Sequence, residues 1–424
     1  MMLIQNKKQI YNVKTKDALQ ILEAGLDAAK PEHFLFKFIR KGKLQINKKS
    51  YRLSEYGKIH LVAVGKAADS MAKFVHDNIR VDFGIIVIPQ NYDSMLSAKN
   101  FKIFYAGHPV PNKTSIAAAK SIIKLVKEAK KEDLVIFLVS GGASALACLP
   151  DGITLSQKQQ LTQTLLRCGA SITEVNTIRK HLSQIKGGRL IECLNCTAVS
   201  FVMSDVVGDD LSSIASGLTY CDNTTYSECL EVVKKYGIEK QISPQALRQL
   251  KLGAKGELAE TPKKPRIPNT VVAYNKDCLD AMKNTASALG YKTKVFAPLI
   301  GNTNSAAKKV LQNFSFRGKS CLIFGGETTV KVSGDGKGGR NQELVLQILN
   351  KVKEDIVVAS IGTDGIDGNT KNAGAIFFMI PRKNKARNYL KNNNSNSFFK
   401  KYGGLITTGP THTNLLDIGL VLKS

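Results

Sequence analysis

Residues 325–343 read GGETTVKVSGDGKGGRNQE, with an acid, Glu327, near one end and a cation, Arg340, opening the helical pattern RNQELVLQILNKV at the other. Glycine leaves the backbone bare and able to approach a ligand, so this spacing asks for chemistry on an anion. A second acidic loop, SIGTDGIDGN, offers Asp364 and Asp367, which with Glu327 are hard oxygen donors of the kind magnesium prefers. The two stretches together point to a phosphate-handling site.

Other loops carry matching residue types. In IHLVAVGKAADSMAKFV an apolar run ends at Gly65 and Lys66, and the lysine falls in the first turn of the following helix. A cation there opposes the helix dipole at roughly 0.3–1 kcal/mol unless an anion faces it, so Lys66 either binds an anion or snorkels to solvent. In VIFLVSGGASALA the residues Ser140, Gly141, Gly142 and Ser144 form an anion cradle that is not a P-loop, because GxxxxGK[ST] is absent from it. NTIRKHLSQIKGGRL places Arg179 or Lys180 at a substrate anion, or else on a solvated helix face. In SDVVGDD, Asp205 stands directly at a strand end as a magnesium ligand or an acceptor for a hydroxyl proton, while Asp209 and Asp210 read as caps.

LITTGPTHTNLLD supplies Thr411 and Asn414 to hold a nucleotide or a hydroxy acid, with His412 read as a passive hydrogen-bonding residue rather than a base. Gly334, Gly336 and Gly339 formally satisfy GxGxxG, which admits a dinucleotide fold and a nicotinamide-dependent reductase. Arg340 and the acids argue instead for ATP, with Gly325, Gly326, Gly338 and Gly339 as bare backbone against it.

The elements that position these loops are short buried strands alternating with helices. IHLVAVG, FGIIVIP, DLVIFLVSGG, AVSFVMSDV, SCLIFGG and IVVASIGTDG are continuous apolar runs of the sort found in parallel sheets covered on both faces. The fold class is α/β with mostly parallel sheets, and the chemistry lies just after the strands. At 424 residues two domains are expected: an N-terminal lobe over 1–250, a proline-containing linker over 251–270 and a C-terminal lobe over 271–424. The Asn-rich stretch KARNYLKNNNSNSFFKKYGG reads as an exposed loop or an irregular surface helix.

The net charge of +27 is spread along the chain without tryptophan, which disfavours a nucleic-acid binder and favours anionic small substrates. The eight cysteines are scattered, and the lone CxxC at Cys193 and Cys196 has no second pair to complete a zinc site. No apolar run is long enough to span a membrane and no leader pattern opens the chain, so a cytoplasmic protein is expected.

VAVGKAA, GHPVPN, LVSGGASALA, EVNTIRKHLSQIKGGRL, SDVVGDDLSSIASG, FGGETTV with GGRNQE, GTDGIDGNT and TGPTHTN resemble, in order, the motifs of the MOFRL-type glycerate 2-kinases from Ala18 to Leu422. The resemblance implies two Rossmann-like lobes with an interlobe active-site cleft and transfer of the γ-phosphoryl group of ATP to D-glycerate, normally at the 2-hydroxyl, with Mg²⁺. By motif match Lys66 and Arg340 correspond to the family's important basic residues, and Asp205 completes the expected catalytic set. The chain departs from the family pattern in SDVVGD for SDVPGD, SGLT for SGPT, TGPTHTN for TGPTGTN and DGNTKNAGA for DGPTDAAGA. His412 and Lys371 are the departures expected to alter nucleotide fit or substrate preference.

Overall fold

The computed structural model describes residues 3–40, 42–46, 48–315, 317–352, 355–378 and 383–423. It divides into two units: Phe34–Val272, and a terminal unit in which Met1–His33 joins Ala273–Ser424.

The inserted unit, Phe34–Val272, is built on six strands: β1 (Ile59–Val64), β2 (Phe83–Pro89), β3 (Phe101–Ala106), β4 (Leu134–Val139), β5 (Thr197–Met203) and β6 (Asn269–Ala273). Their order is β3-β2-β1-β4-β5-β6, and the pairings from β3 through to β5 are parallel. Every residue of β4 is buried, because the run LVIFLV has helices to cover on both faces. Val62, Phe137 and Val139 pack with Ile122 and Val126 of the helix Lys113–Glu128, which Asn112 caps by accepting from the Ser115 amide at 3.1 Å. This strand order reverses direction between β1 and β4. In doubly wound sheets the ligand crevice opens at that reversal, beyond the carboxyl ends of the two strands.

The stretch 251–270, expected as a linker, is a strap on the inserted unit. The helix Pro244–Ala254 runs into it. Beyond that helix, Glu260 accepts from the Tyr226 amide at 2.9 Å, Thr261 donates to Asp222 at 3.1 Å, and Arg266 donates to the Glu192 carbonyl at 3.1 Å. These three polar residues tie the stretch to the unit, which composition alone does not reveal.

The terminal unit contains β7 (Lys292–Asn302), β8 (Ser320–Thr329), β9 (Val357–Gly362), β10 (Gly374–Phe377), β11 (Leu405–Ile406) and β12 (Asp417–Lys423), ordered β7-β8-β12-β9-β10-β11. Only β7 and β8 run parallel; the other four pairings are antiparallel. The mostly parallel architecture therefore holds for the inserted unit, and this sheet is mixed. Two of those four come from β12, which enters after a helix-free loop and slots between β8 and β9, and the other two from β10 and β11 at the edge.

The helix Lys16–Ala28 belongs to this unit because it packs on β12. A Cβ on Gly25 would lie 2.8 Å from Ile418 Cδ1 and from Met282 Cγ. Tyr291 donates to Asp17 at 2.9 Å and Thr413 to the Ala29 carbonyl at 3.0 Å. The first thirty-three residues, expected in the N-terminal lobe, are thus part of the C-terminal one. Among the described residues no helix is long and apolar enough to cross a membrane.

Candidate functional site

At the reversal point of the inserted unit, two loops interlock through one hydroxyl. Ser140 Oγ accepts from the Ala67 amide at 3.0 Å, and the Lys66 amide donates to the Gly141 carbonyl at 2.8 Å. Gly65 adopts φ +137°, and a Cβ there would sit 2.1 Å from Ser140 Oγ, so only glycine lets the loops meet. Ser140 is fully buried and acts as a tie between loops rather than as an anion ligand. Gly142 lies at φ +84°, where a Cβ would come within 3.0 Å of His108 and 3.4 Å of Lys66 Cγ, so the lysine stem runs past the bare Gly142 backbone.

Ser144 shares a 2.7 Å hydrogen bond with Ser216, which donates to Asn176 at 3.1 Å. Ala215, Ser216 and Gly217 are three successive left-handed residues at φ +54°, +55° and +64°. Two non-glycine residues held this way cost on the order of 1–2 kcal/mol each, the kind of strain that collects at functional sites.

The basic helix Ile172–His181 splits its cations. Lys180 is buried and paired with Asp222 at 3.1 Å, so its expected place at a substrate anion is replaced by a structural ion pair. Arg179 is half-buried and borders a cavity together with Ser144, and burial lowers its pKa. Asp205 is half-buried just beyond β5, and Asp210 caps its own turn by accepting from Ser212 and Ser213.

In the terminal unit Arg340 is held by two carboxylates. Its Nε and Nη2 donate to Asp417 at 2.6 and 3.0 Å, and Nη1 donates to Glu327 at 2.5 Å. Burial works against the guanidinium charge, but Asp417 and then Glu327 outweigh it and raise the pKa above its ordinary value. The Cβ position of Gly362 is 3.0 Å from an Asp364 oxygen and 3.5 Å from an Asp417 oxygen, so these carboxylates flank one point. Asp417, Glu327 and Asp364 thus gather around one guanidinium. Among the described residues no three His, Cys, Asp or Glu side chains form a metal cage. Magnesium needs none, since it is held through one or two carboxylates plus substrate phosphates.

Asp367 feels Asp417 and Arg340 but is spent on the backbone. Its two oxygens accept from the amides of Asn341 and Gln342 at 3.0 and 2.9 Å, capping the helix Arg340–Leu349. Burial pushes its pKa up to about 6 while those amides pull it down. A carboxylate spent on a helix start is a structural anchor, which corrects its reading as a metal ligand. The same bond removes the GxGxxG reading, because the amides that a pyrophosphate would use are taken.

The glycine loop owes its composition to packing. Cβ atoms on Gly334, Gly336 and Gly338 would lie 2.0–2.3 Å from Asn392 or Ser395 atoms, and one on Gly339 would lie 2.3 Å from Asp367. The Asn-rich segment clasps the loop: Asn393 Oδ1 accepts from the Ser333 and Gly334 amides at 2.7 and 3.2 Å, and Asn394 from Lys337 at 3.2 Å. Helices Lys383–Lys391 and Ser395–Tyr402 frame that segment, and Phe398 and Phe399 are buried, so it is no exposed loop. Gly325 and Gly326 likewise admit Asn275 and the Leu299 backbone. Thr411 donates its amide to the Asp364 carbonyl at 3.3 Å, tying the last loop to the acidic one, and Asn414 is buried in that loop.

Two family models match the chain, a domain of unknown function (DUF4147) over residues 17–251 and the MOFRL family over 320–417. Glycerate 2-kinase of Pyrococcus horikoshii is 34% identical, covering 95% of this chain and 96% of its own. D-glycerate 2-kinase of Thermotoga maritima is 36% identical, covering 96% and 98%. The crystal structure of glycerate kinase from T. maritima matches with a TM-score of 0.81 at 35% identity, over 97% of this chain and 99% of that one. The chain belongs to the MOFRL-type glycerate 2-kinase family.

Against the family pattern, His412 occupies a left-handed position at φ +54°, which explains why a glycine suits that place, and Lys371 is exposed in a turn. Cys193 and Cys196 pack on the inserted unit's core, and all eight cysteines are free. Sequence reasoning missed Asp417, the bidentate partner of Arg340. Its only signal was a carboxylate opening an apolar run, LLDIGLVLK, that had not been recognised as a strand.

Proposed function

We propose that this protein transfers the γ-phosphoryl group of ATP to the 2-hydroxyl of D-glycerate. The observation that carries the reading is the Arg340 cluster, in which a guanidinium is fixed by Asp417 and Glu327 beside Asp364, in a chain alike from end to end to D-glycerate 2-kinases. Phosphoryl transfer asks little covalent chemistry of a protein and much electrostatic positioning. Arg340, locked by its carboxylates, presents a pre-oriented positive charge that needs no reorganisation as charge develops on the phosphoryl oxygens. Lys66, which stands in the turn just before the helix Ala68–Asn78 rather than in its expected first turn, is carried past Gly142 at the sheet reversal and is assigned the same task. Asp205, at the end of β5, is assigned the acceptor hydroxyl proton.

Glu327 and Asp364 would hold Mg²⁺, their hard oxygens fitting that ion. When bound, it neutralises phosphate charge. A nicotinamide reductase is disfavoured, since the amides at the start of Arg340–Leu349 are occupied by Asp367.

The test is a ³¹P NMR spectrum of the purified protein with ATP, Mg²⁺ and D-glycerate, beside a sample without glycerate. A glycerate-dependent phosphomonoester at the 2-phosphoglycerate position is expected. Intact ATP, or consumption of NADH with hydroxypyruvate, would overturn the proposal.

A further inference from the structure

The inserted unit contains a cavity of about 230 Å³ walled in part by Ser144, Cys148, Lys158, Arg179 and Lys186. Three of these five are cations. Lys158 and Lys186 are buried. Lys158 Nζ donates to the carbonyls of Leu182 at 2.8 Å and Arg179 at 3.3 Å. Lys186 Nζ donates to the carbonyls of Ala147 at 3.2 Å and Ala215 at 3.5 Å, the latter in the strained left-handed turn. An ammonium has three donors, so each lysine keeps one after its two carbonyls are served. Among the described residues no side chain or carbonyl accepts from the Arg179 guanidinium, which has five.

Among the described residues no carboxylate lines the cavity, and Asp151, the acid that acts on Lys158, stands 3.6 Å from Arg189. Burial lowers the pKa of Lys186 to about 7, with Lys158 and Arg179 adding to it, and that of Lys158 to about 8, with Arg179 adding, while Cys148 opposes both shifts. Holding three protonated cations in one desolvated hollow has a standing cost, which those lowered values express and which an anion entering the hollow offsets by favouring the charged lysines. The volume chooses among anions. At ~30 Å³ per water it has room for roughly seven or eight waters, below the ~300–1,000 Å³ of drug-sized sites. A three-carbon acid fits there and a nucleoside triphosphate does not.

We infer that this cavity receives the carboxylate of the hydroxy-acid acceptor, gripped by the Arg179 guanidinium and by the spare donors of Lys158 and Lys186. The inference rests on the phosphoryl-transfer reading above and adds to it the seat of the acceptor. It also places the acceptor near the chemistry. Ser144, on the cavity wall, lies two residues beyond Gly142, whose Cβ position is 3.4 Å from Lys66 Cγ, so the cavity and the lysine share one loop. The acceptor class that follows is a short 2-hydroxy carboxylate, with the neutral amide of the same acid a poor ligand.

The test compares wild type with Arg179→Met and Lys186→Met, measuring KM for D-glycerate, for glyceramide and for ATP, and calorimetric binding of D-glycerate without donor. Arg179→Met is the decisive variant, because its guanidinium has no protein partner to lose and its thermal stability should equal or exceed that of wild type. Losing a charged hydrogen bond predicts a roughly 10- to 100-fold rise in the D-glycerate KM and a matching loss of calorimetric affinity. KM for ATP should stay within about twofold, and wild type's preference for glycerate over glyceramide should collapse. An unchanged glycerate KM in a wild-type background that phosphorylates glycerate overturns this inference alone. A raised ATP KM instead would give the cavity to the donor's phosphates. If the wild type neither binds nor phosphorylates glycerate, the reading of function falls first and this seat falls with it.

Discussion

Replacing Arg340 with methionine separates two jobs that the geometry assigns to one side chain. The guanidinium is about one-third exposed, Asp417 is 10% exposed and Glu327 43% exposed. Removing one partner from a fully buried pair costs about 3–5 kcal/mol and from an exposed pair about 0–1 kcal/mol. The Asp417 arm lies between those limits and the Glu327 arm near the lower one, so a stability loss of about 2 kcal/mol is expected. For a unit of this size that lowers Tm by roughly 4–8 °C. With domain stabilities of about 5–15 kcal/mol, the variant stays overwhelmingly folded at 25 °C. Its activity is another matter. A positioned arginine acting on a transferring phosphoryl group is worth about 10³–10⁵ in kcat, or roughly 4–7 kcal/mol. The assay is steady-state kcat for D-glycerate phosphorylation beside a urea melt of the same preparation. A kcat within about tenfold of wild type, together with the expected melt, would show that Arg340 only organises Asp417 and Glu327.

Three further outcomes follow from single contacts. Gly65→Ala sets a methyl 2.1 Å from Ser140 Oγ at φ +137°, so overpacking and strain together should cost about 3 kcal/mol or more, and a Tm within 2 °C of wild type would refute the close approach. Asp367→Asn should cost about 0.5–2 kcal/mol as a weakened helix cap while leaving the Mg²⁺ dependence of turnover unmoved; a large rise in the Mg²⁺ requirement would restore it as a ligand. Lys186, its pKa lowered to about 7 from 10.5, is neutral in the folded state and protonated in the unfolded chain between those values, so stability rises with pH across that window. The groups facing it are Lys158, Arg179 and Cys148. Between pH 7 and 9 wild type should gain about 2 kcal/mol relative to Lys186→Met, at about 1.36 kcal/mol per pH unit; parallel pH profiles of Tm for the two proteins would refute the neutral lysine.

The parts of the site that were legible in the sequence are those where chemistry sits at a strand end. Apolar runs closing on Gly65 and on Ser140 mark a buried strand giving way to bare backbone, and in a doubly wound sheet that junction is where ligands bind. What stayed hidden were partners and purposes that the fold brings together over long separations. Asp417 is 77 residues from Arg340, and the strand it opens is interrupted by Gly419, whose Cβ would meet the Phe324 ring at 2.3 Å. Lys158 lies on SQKQQLTQTLLR, whose helical pattern does not mark it, yet its ammonium donates to the carbonyls of Arg179 and Leu182. The glycines at 334–338 are the reverse case. Read alone they call for a ligand, yet the bodies that need the bare backbone are Asn392, Asn394 and Ser395 of the chain itself. A glycine states only that something comes close, whereas a cation on a cavity wall with donors left over states the charge of what must come. That asymmetry is why the cavity at Arg179 carries an acceptor and the glycine loop carries none.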